Sequence, residues 1–590
     1  MLARLLKQIF RRDQPSASPV QNGEQAVAVP EPAQDSKTPL HARPEINQLL
    51  ATAGTLQDQG KAAESEPLCR QALGQDPGFA YAHLLLAIAL AEQGKANEAL
   101  NHALYAQHWM PNHAASANQA GIVHMALGNY SQAILCLQRA VQLNPASPSI
   151  LCNLGILNLH IGEAVAARQC LEQALCLNPE LEPARMNLAL ICLDLGDLSG
   201  ALDHACKLAC HADQHISYQQ NLEQILLAGW HLPEAARLEQ ALFDACQQPA
   251  NHCRLEALSC LQAGRHQEAA EKMQTACAIS GRPEDAWLLG QIELGLQRWG
   301  TAWTHYEQRL QTANFPRQQT GLPCWSGESL HGKSMYVQSE QGLGEQILFA
   351  GCLPDLLASG CQITLECHPK LLALFCQSFP QITLRPQESM GQLNVEETRY
   401  DYVSSLGSLP RWLRQDEKDF AAPAAYLKTT ALQAQSGKNS PPVVGICWRG
   451  GLPQTGRYRR SLSLEMLAPL LRCQNVRFCS LQQDESPAET GYLNQAGIQA
   501  FSPDGYSLEN LAAMIATCDQ VITVCSTVAH LAGALGTKTC VLTPLTPPWA
   551  YGYAEEIMPW YPDVHLLRQT RADDWSEPLD RALQTLRELA

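Results

Sequence analysis

The stretch Val521–Gly536, VITVCSTVAHLAGALG, decides how the C-terminal half of the chain folds. It opens with Val521-Ile522-Thr523-Val524, an apolar and β-branched run of the length of a buried strand. Ser526 and Thr527 follow, offering hydroxyls where a helix needs an N-cap, and an Ala/Leu-rich segment then runs to Gly536, which stops it. Strand, tight turn and helix N-terminus form an anion site, because free backbone N–H groups and the helix dipole point outward at the turn. His530 sits one turn into that helix.

Outward from this stretch the same grammar recurs. Met335–Glu340, Gln362–Cys367, Val443–Trp448, Val476–Leu481, Val521–Cys525 and Cys540–Thr543 read as strands, mostly followed by helical patterns. Such alternation implies parallel sheets with helices on both faces. A Pro/Gly-containing join, Pro316 to Gly332, precedes this half, and a polar break at Ser436–Pro442 divides it. The expectation is two doubly wound, Rossmann-like domains, 331–435 and 443–590, holding a ligand in the cleft between their strand ends. The last segment, Asp573 to Ala590, is an amphipathic helix that either closes the second domain or crosses back to the first.

The N-terminal half repeats itself. Gly60, Gly94, Gly128, Gly162 and Gly196 are each 34 residues apart, and Pro77, Pro111, Pro145 and Pro179 keep that period, as do Ala72, Ala106, Ala140 and Ala174. Each unit has two apolar-periodic segments split by Gly and ended by Pro, a helical pair stacked on its neighbours. Gly permits the tight turn, Ala the close approach of the helices, and Pro stops the second one. Three residue types in one register closely resemble the tetratricopeptide repeat. The register degrades through Gly229 with Ala235 and Gly264 with Ala269, and a last unit around Trp299-Gly300-Thr301-Ala302 lacks the turn Gly. The reading is an all-α solenoid over 45–315 whose groove takes a protein or peptide; a spacer or dimerisation arm is the plainer alternative.

Composition excludes several classes. At 590 residues the chain is too long for one core. A net charge of −16 argues against a sequence-independent nucleic-acid role, which needs basic surface. The 23 cysteines include no CxxC pair and no zinc-like spacing, so no metal site is expected. Many lie on apolar faces, as reduced thiols of a cytoplasmic protein would. Residues 1–12, MLARLLKQIFRR, suit a short amphipathic helix that lies peripherally on the inner face of a membrane or docks on a partner, against an ordinary amphipathic start. The remainder of 1–44 reads as a flexible linker.

Four stretches carry the chemistry. In Glu340-Gln341-Gly342-Leu343-Gly344-Glu345 the glycines admit a ligand close to the backbone and Glu345 opens a helix; its plain role is to complement the helix dipole. Trp448-Arg449-Gly450-Gly451, continuing to Arg457, Arg459, Arg460 and Ser461, looks like an anion clamp, since guanidinium groups pair bidentately with phosphate. Ser480-Leu481-Gln482-Gln483 ends a strand at the same edge and suits a base or sugar. The fourth is the opening stretch.

EQGLGE, CQITLECHPKLLALFCQSFP, LGSLP at Leu406–Pro410, WRGG with Arg460-Ser461, the FCSLQ strand end and STVAHLAGALG occur in this order. Together they resemble bacterial glycosyltransferases that join tetratricopeptide repeats to a heptosyltransferase-like region. The resemblance covers about residue 45 to the end, and Trp303, Tyr306, Glu307 and Arg309 fit the helix that leads into the catalytic part. The layout is also similar, in architecture alone, to that of O-linked N-acetylglucosamine transferases. The resemblance implies a two-domain GT-B fold and a nucleotide-sugar donor held by the second domain, with no obligatory metal or other cofactor. It makes Glu345 the general base, puts Arg449, Gly450 and Arg460 in the loop that meets donor phosphate, and puts Ser526, Thr527 and His530 in the phosphate turn. Gly342 and Gly344 complete the donor side. Two residues depart from the pattern: Glu345 stands for an Asp, and Cys525 for the Asp that often ends the strand.

The chemistry is consistent with inverting glycosyl transfer, which needs a base for the acceptor hydroxyl and positive groups for the departing diphosphate. The alternative, favoured by Cys525, is a non-enzymatic repeat scaffold carrying a degenerate, nucleotide-sensing module.

Overall fold

The computed structural model describes residues 44–589, apart from 215, 231, 313–320, 340–341, 388–399, 421–424, 430–440, 452–456, 484 and 499–506. The amphipathic start 1–12, Glu340 and Gln341 lie outside the described residues. The chain forms two compact units, Met1–Ala209 and Cys210–Ala590.

In the first unit the 34-residue period becomes helical pairs, beginning Pro44–Asp58 with Ala62–Gln75 and Ala80–Glu92 with Ala96–Trp109. Each pair turns on a left-handed glycine, with φ of 74°, 79°, 77°, 83° and 82° from Gly60 to Gly196. The turn closes the same way each time. Gly60 N–H donates to Gln57 O and Lys61 N–H to Leu56 O, and Gly94/Lys95 and Gly128/Asn129 repeat that pattern. Ala72, Ala106, Ala140 and Ala174 are fully buried between helices. Close approach is enforced elsewhere too: a Cβ on Gly121 would lie 2.6 Å from Leu137 Cγ.

The second unit begins with further helical pairs, Ile216–Ala228 with Pro233–Ala245, Pro249–Gln262 with His266–Ser280, and Pro283–Gly295 with Trp299–Tyr306. Where the last pair lacks its glycine, Gln297 adopts φ 58° and makes the same turn bonds, its N–H donating to Leu294 O and that of Arg298 to Glu293 O. Three of these helices share a buried ion network. Arg254 Nε donates to Glu223 Oε2 at 2.9 Å and Nη1 to Asp285 Oδ1 at 2.7 Å, while Arg282 Nε reaches Asp285 Oδ2 at 2.8 Å.

Two parallel sheets follow. The first has the order β3-β2-β1-β4, with β1 Ser334–Gln338, β2 Gln362–Cys367, β3 Thr383–Pro386 and β4 Tyr402–Ser405. The second has the order β6-β5-β7-β8-β10-β9, from β5 Val443–Cys447, β6 Arg477–Ser480, β7 Gln520–Val524, β8 Thr539–Thr543, β9 Ile557–Met558 and β10 Tyr561–Arg568. Only β9 runs antiparallel to its neighbour among these described strands. The strands β3, β4, β9 and β10 add to the six read from sequence. In each sheet the order reverses beside a central strand, at β1/β4 and at β5/β7, and the carboxyl ends at such a reversal leave a crevice.

The final helix, Ser576–Leu589, packs on β8, β10 and the Leu464–Leu471 helix, so it closes the second sheet. One core joins both sheets to the last helical pair. Trp303 meets Trp549 edge-on at 5.9 Å, and its indole N–H donates to Arg414 O at 2.7 Å. Arg309 is fully buried and donates to Ser408 Oγ at 3.0 Å, so Ser408 of LGSLP fastens the sheet region to the lead-in helix.

Candidate functional site

The opening stretch folds as β7, a turn, and a helix Thr527–Leu535 that Gly536 ends at φ 73°. Ser526 stands at the N-cap, but its hydroxyl pairs with Thr523 Oγ1 at 3.1 Å and caps no N–H, while the Ala529 N–H of the first turn donates to Ser526 O at 3.1 Å. Gly450, just past β5, touches this turn: a Cβ there would lie 2.4 Å from Cys525 O and 2.8 Å from Ser526 Cβ. Only glycine lets the two strand ends come so close.

His530 is 8 % exposed. Its Nε2 pairs with Tyr551 Oη at 3.3 Å, and Nδ1 is buried with no hydrogen-bond partner among the described residues. Burial first, then the charge of Arg460, pushes its pKa down to about 3, so the ring is neutral. Cys525 is fully buried and its thiol is pushed up to about 12 by burial, against the pull of Arg460 and Arg568. Arg460 thus adds positive charge at the turn, joined at Cys525 by Arg568.

The other wall is the helix Leu343–Ala350, which follows β1. A Cβ on Gly344 would meet His530 Cδ2 at 3.1 Å and Thr527 Oγ1 at 3.7 Å. Glu345 Oε2 accepts the Gly342 N–H at 3.2 Å, its plain first-turn role. The structure thus brings Gly344, Thr527 and His530 together, with Gly450 against Ser526 and the charge of Arg460 beside them.

Arg449 goes elsewhere. Its guanidinium pairs with Glu489, the carboxylate that also accepts Trp448 Nε1–H at 2.8 Å, and Arg449 lies over the Trp448 ring. Gln482 is a brace as well, its Oε1 accepting the N–H groups of Trp448 at 3.2 Å and Arg449 at 2.9 Å. Of the four arginines expected as a clamp, Arg460 acts on the turn and Arg449 pairs with Glu489, while Arg457 and Arg459 share the short 3-10 helix Arg457–Arg460 with Arg460.

Residues not singled out from sequence also build the site. Tyr551 lies in the loop after β8, which Arg568 holds by donating to Tyr551 O at 2.7 Å, Gly552 O at 3.1 Å and Glu555 O at 2.7 Å. The last helical pairs grip the same loop. Tyr553 N–H donates to Gly295 O at 2.9 Å, and the Tyr553 ring stacks on His266 at 4.0 Å. The dense aromatic and glycine run Trp549-Ala550-Tyr551-Gly552-Tyr553 was the available signal.

The model described as "Tetratricopeptide repeat" matches residues 56–103, and that described as "TPR repeat" matches 121–162. Among curated proteins, the protein FlbA of Caulobacter vibrioides is 28% identical over 363 residues, which cover 57% of this chain and 61% of that protein. The chain thus spans about three-fifths of that relative's length. Similar solved structures include a thermophilic TPR protein of Thermus thermophilus, at 23% identity and TM-score 0.29 over 31% of this chain and 99% of that one. MamA of Desulfovibrio magneticus is similar at 18% identity and TM-score 0.25, over 28% of this chain and 93% of its own. The helical pairs of the first unit are tetratricopeptide repeats, followed by an α/β region of parallel sheets.

Proposed function

We propose that the chain is an inverting glycosyltransferase of GT-B type that moves a sugar from a nucleotide donor to an acceptor recruited by the repeat groove. The donor diphosphate lies on the N–H groups of the Thr527–Leu535 helix, with Arg460 as its counter-charge and His530 offering a neutral ring nitrogen. Glu345 is the base, and it gives up its bond to Gly342 N–H to take the acceptor proton. The apposition of Gly344 to Thr527 and His530 carries this reading. It brings two helix N-termini together, each at the carboxyl ends of a parallel sheet, which is where doubly wound folds bind ligands. The ordered motifs shared with repeat-linked glycosyltransferases support it independently.

Two observations favour the alternative scaffold. Cys525, fully buried under Gly450, supplies no carboxylate at the end of β7, and Glu345 already serves as a helix cap. Turnover of a panel of nucleotide sugars by wild-type protein and by Glu345→Gln separates the two. The transferase reading expects turnover that the variant loses while keeping its fold; absence of turnover from a correctly folded wild type favours the scaffold.

A further inference from the structure

The first sheet carries a polar row that the proposed donor site does not use. The pairing register places Glu366 of β2 opposite Arg385 of β3, and Gln338 of β1 opposite Ser405 of β4. Val337 pairs with Leu365, so Gln338 and Glu366 are the next step of the same ladder. Arg385, Glu366, Gln338 and Ser405 therefore cross all four strands near their carboxyl ends. Strands of parallel sheets are ordinarily apolar on both faces, so such a row is out of character there.

Three of its members are buried, Gln338, Glu366 and Ser405 being 6 %, 5 % and 3 % exposed, while Arg385 on the edge strand is half-buried. Yet Gln338 Nε2 is buried with no hydrogen-bond partner among the described residues, a state that costs stability unless a ligand completes it. Tyr336 Oη donates to Glu366 Oε2 at 3.4 Å, and the Tyr336 ring lies 5.4 Å from that of Tyr400. The row crosses the reversal point between β1 and β4, the crevice of this sheet, and β1 leads directly into the helix whose Gly344 meets His530.

An amide donor, a carboxylate acceptor, a guanidinium and a hydroxyl beside aromatic rings match one ligand chemistry, a ring bearing several hydroxyl groups. We propose that this row recognises the hydroxyls of a sugar, through Gln338, Glu366, Arg385 and Ser405. The proposal rests on the glycosyltransferase reading and deepens it. The sugar is either that of the donor or that of the acceptor.

The test uses the full chain and thermal-shift titrations with UDP, GDP, ADP and CMP, with their nucleotide sugars, and with free glucose, galactose and N-acetylglucosamine. Gln338→Met keeps the shape of the side chain and removes the unpaired amide. It is expected to melt above wild type without ligand, and to lose ~10-fold or more of the affinity for sugar, while its response to bare nucleotide is unchanged. Glu366→Gln, a gentler change, is expected to weaken sugar binding in the same sense. Loss confined to nucleotide sugars assigns the row to the donor sugar, and loss confined to free sugars assigns it to the acceptor. Wild-type sugar responses in both variants overturn the proposal, as does a wild type that binds bare nucleotide but gains nothing from any sugar. Sugar binding that depends on Gln338, without any nucleotide binding, keeps the row and sinks the transferase reading. Silence toward every probe overturns both.

Discussion

Gly344 and His530 approach so closely that a single added carbon on the glycine would lie 3.1 Å from the imidazole. They are 186 positions apart in the chain and come from the two different sheets. The close contact means that the two helix N-termini act as one surface. Gly344→Val is expected to force them apart, costing ~1–3 kcal/mol by overpacking and weakening nucleotide binding, measured by urea unfolding and by titration.

His530 makes stability depend on pH. Its folded pKa, about 3, lies below its ordinary value of 6.5, so between these values the unfolded chain takes up a proton that the folded chain refuses. Stability is complete above 6.5 and falls as pH drops toward 3, by at most ~1.4 kcal/mol per pH unit from this group. His266, held down to about 4 by burial, adds the same sign. Urea unfolding at neutral and mildly acidic pH should show a shallower dependence in His530→Gln; an unchanged slope would show that this histidine is not buried neutral.

Arg254 balances Glu223 and Asp285 where water does not reach. Arg254→Met leaves buried Glu223 without its guanidinium and Asp285 with Arg282 alone, and a loss of ~3–5 kcal/mol is expected. A change below about 1 kcal/mol would mean that the network is wet.

Gln297 holds a left-handed turn that glycine makes at Gly60, Gly94, Gly128, Gly162, Gly196 and Gly264. Gln297→Gly should be neutral or raise stability by up to ~1 kcal/mol, and Gly128→Ala should lower it by ~1–2 kcal/mol. Equal melting temperatures for Gly128→Ala and wild type would contradict the turn geometry.

The repeats were legible because Gly, Ala and Pro each serve a local purpose that recurs with the period. The Gln297 turn was not, because glutamine as a residue type does not announce a left-handed turn. Among the strands, Thr383–Pro386 and Tyr402–Ser405 are four residues each, and Tyr561–Arg568 contains Pro562, Asp563 and His565, so neither length nor apolarity marked them. In the site, glycine marks close approach of protein to protein, Gly344 to His530 and Gly450 to Cys525 O, at positions the sequence reading assigned to a ligand. The pairing of Arg449 with Glu489 was not legible, because Glu489 is forty positions away and enters only through the fold. The row at Gln338 was invisible as sequence, since each member is an ordinary residue on a different strand.

Arg460 is the positive group whose charge acts on His530, Cys525 and Tyr551 at once. We propose that this turn binds the diphosphate of a nucleotide. It is tested most directly by titrating UDP, GDP, ADP and CMP into the full chain and into Arg460→Gln, following the melting temperature. The expected result is a rise with one nucleoside diphosphate, ~2.7 kcal/mol at a hundredfold excess over the dissociation constant, reduced at least tenfold in apparent affinity by the substitution. A wild type that responds to none of them, or a variant that binds as tightly as wild type, would contradict it.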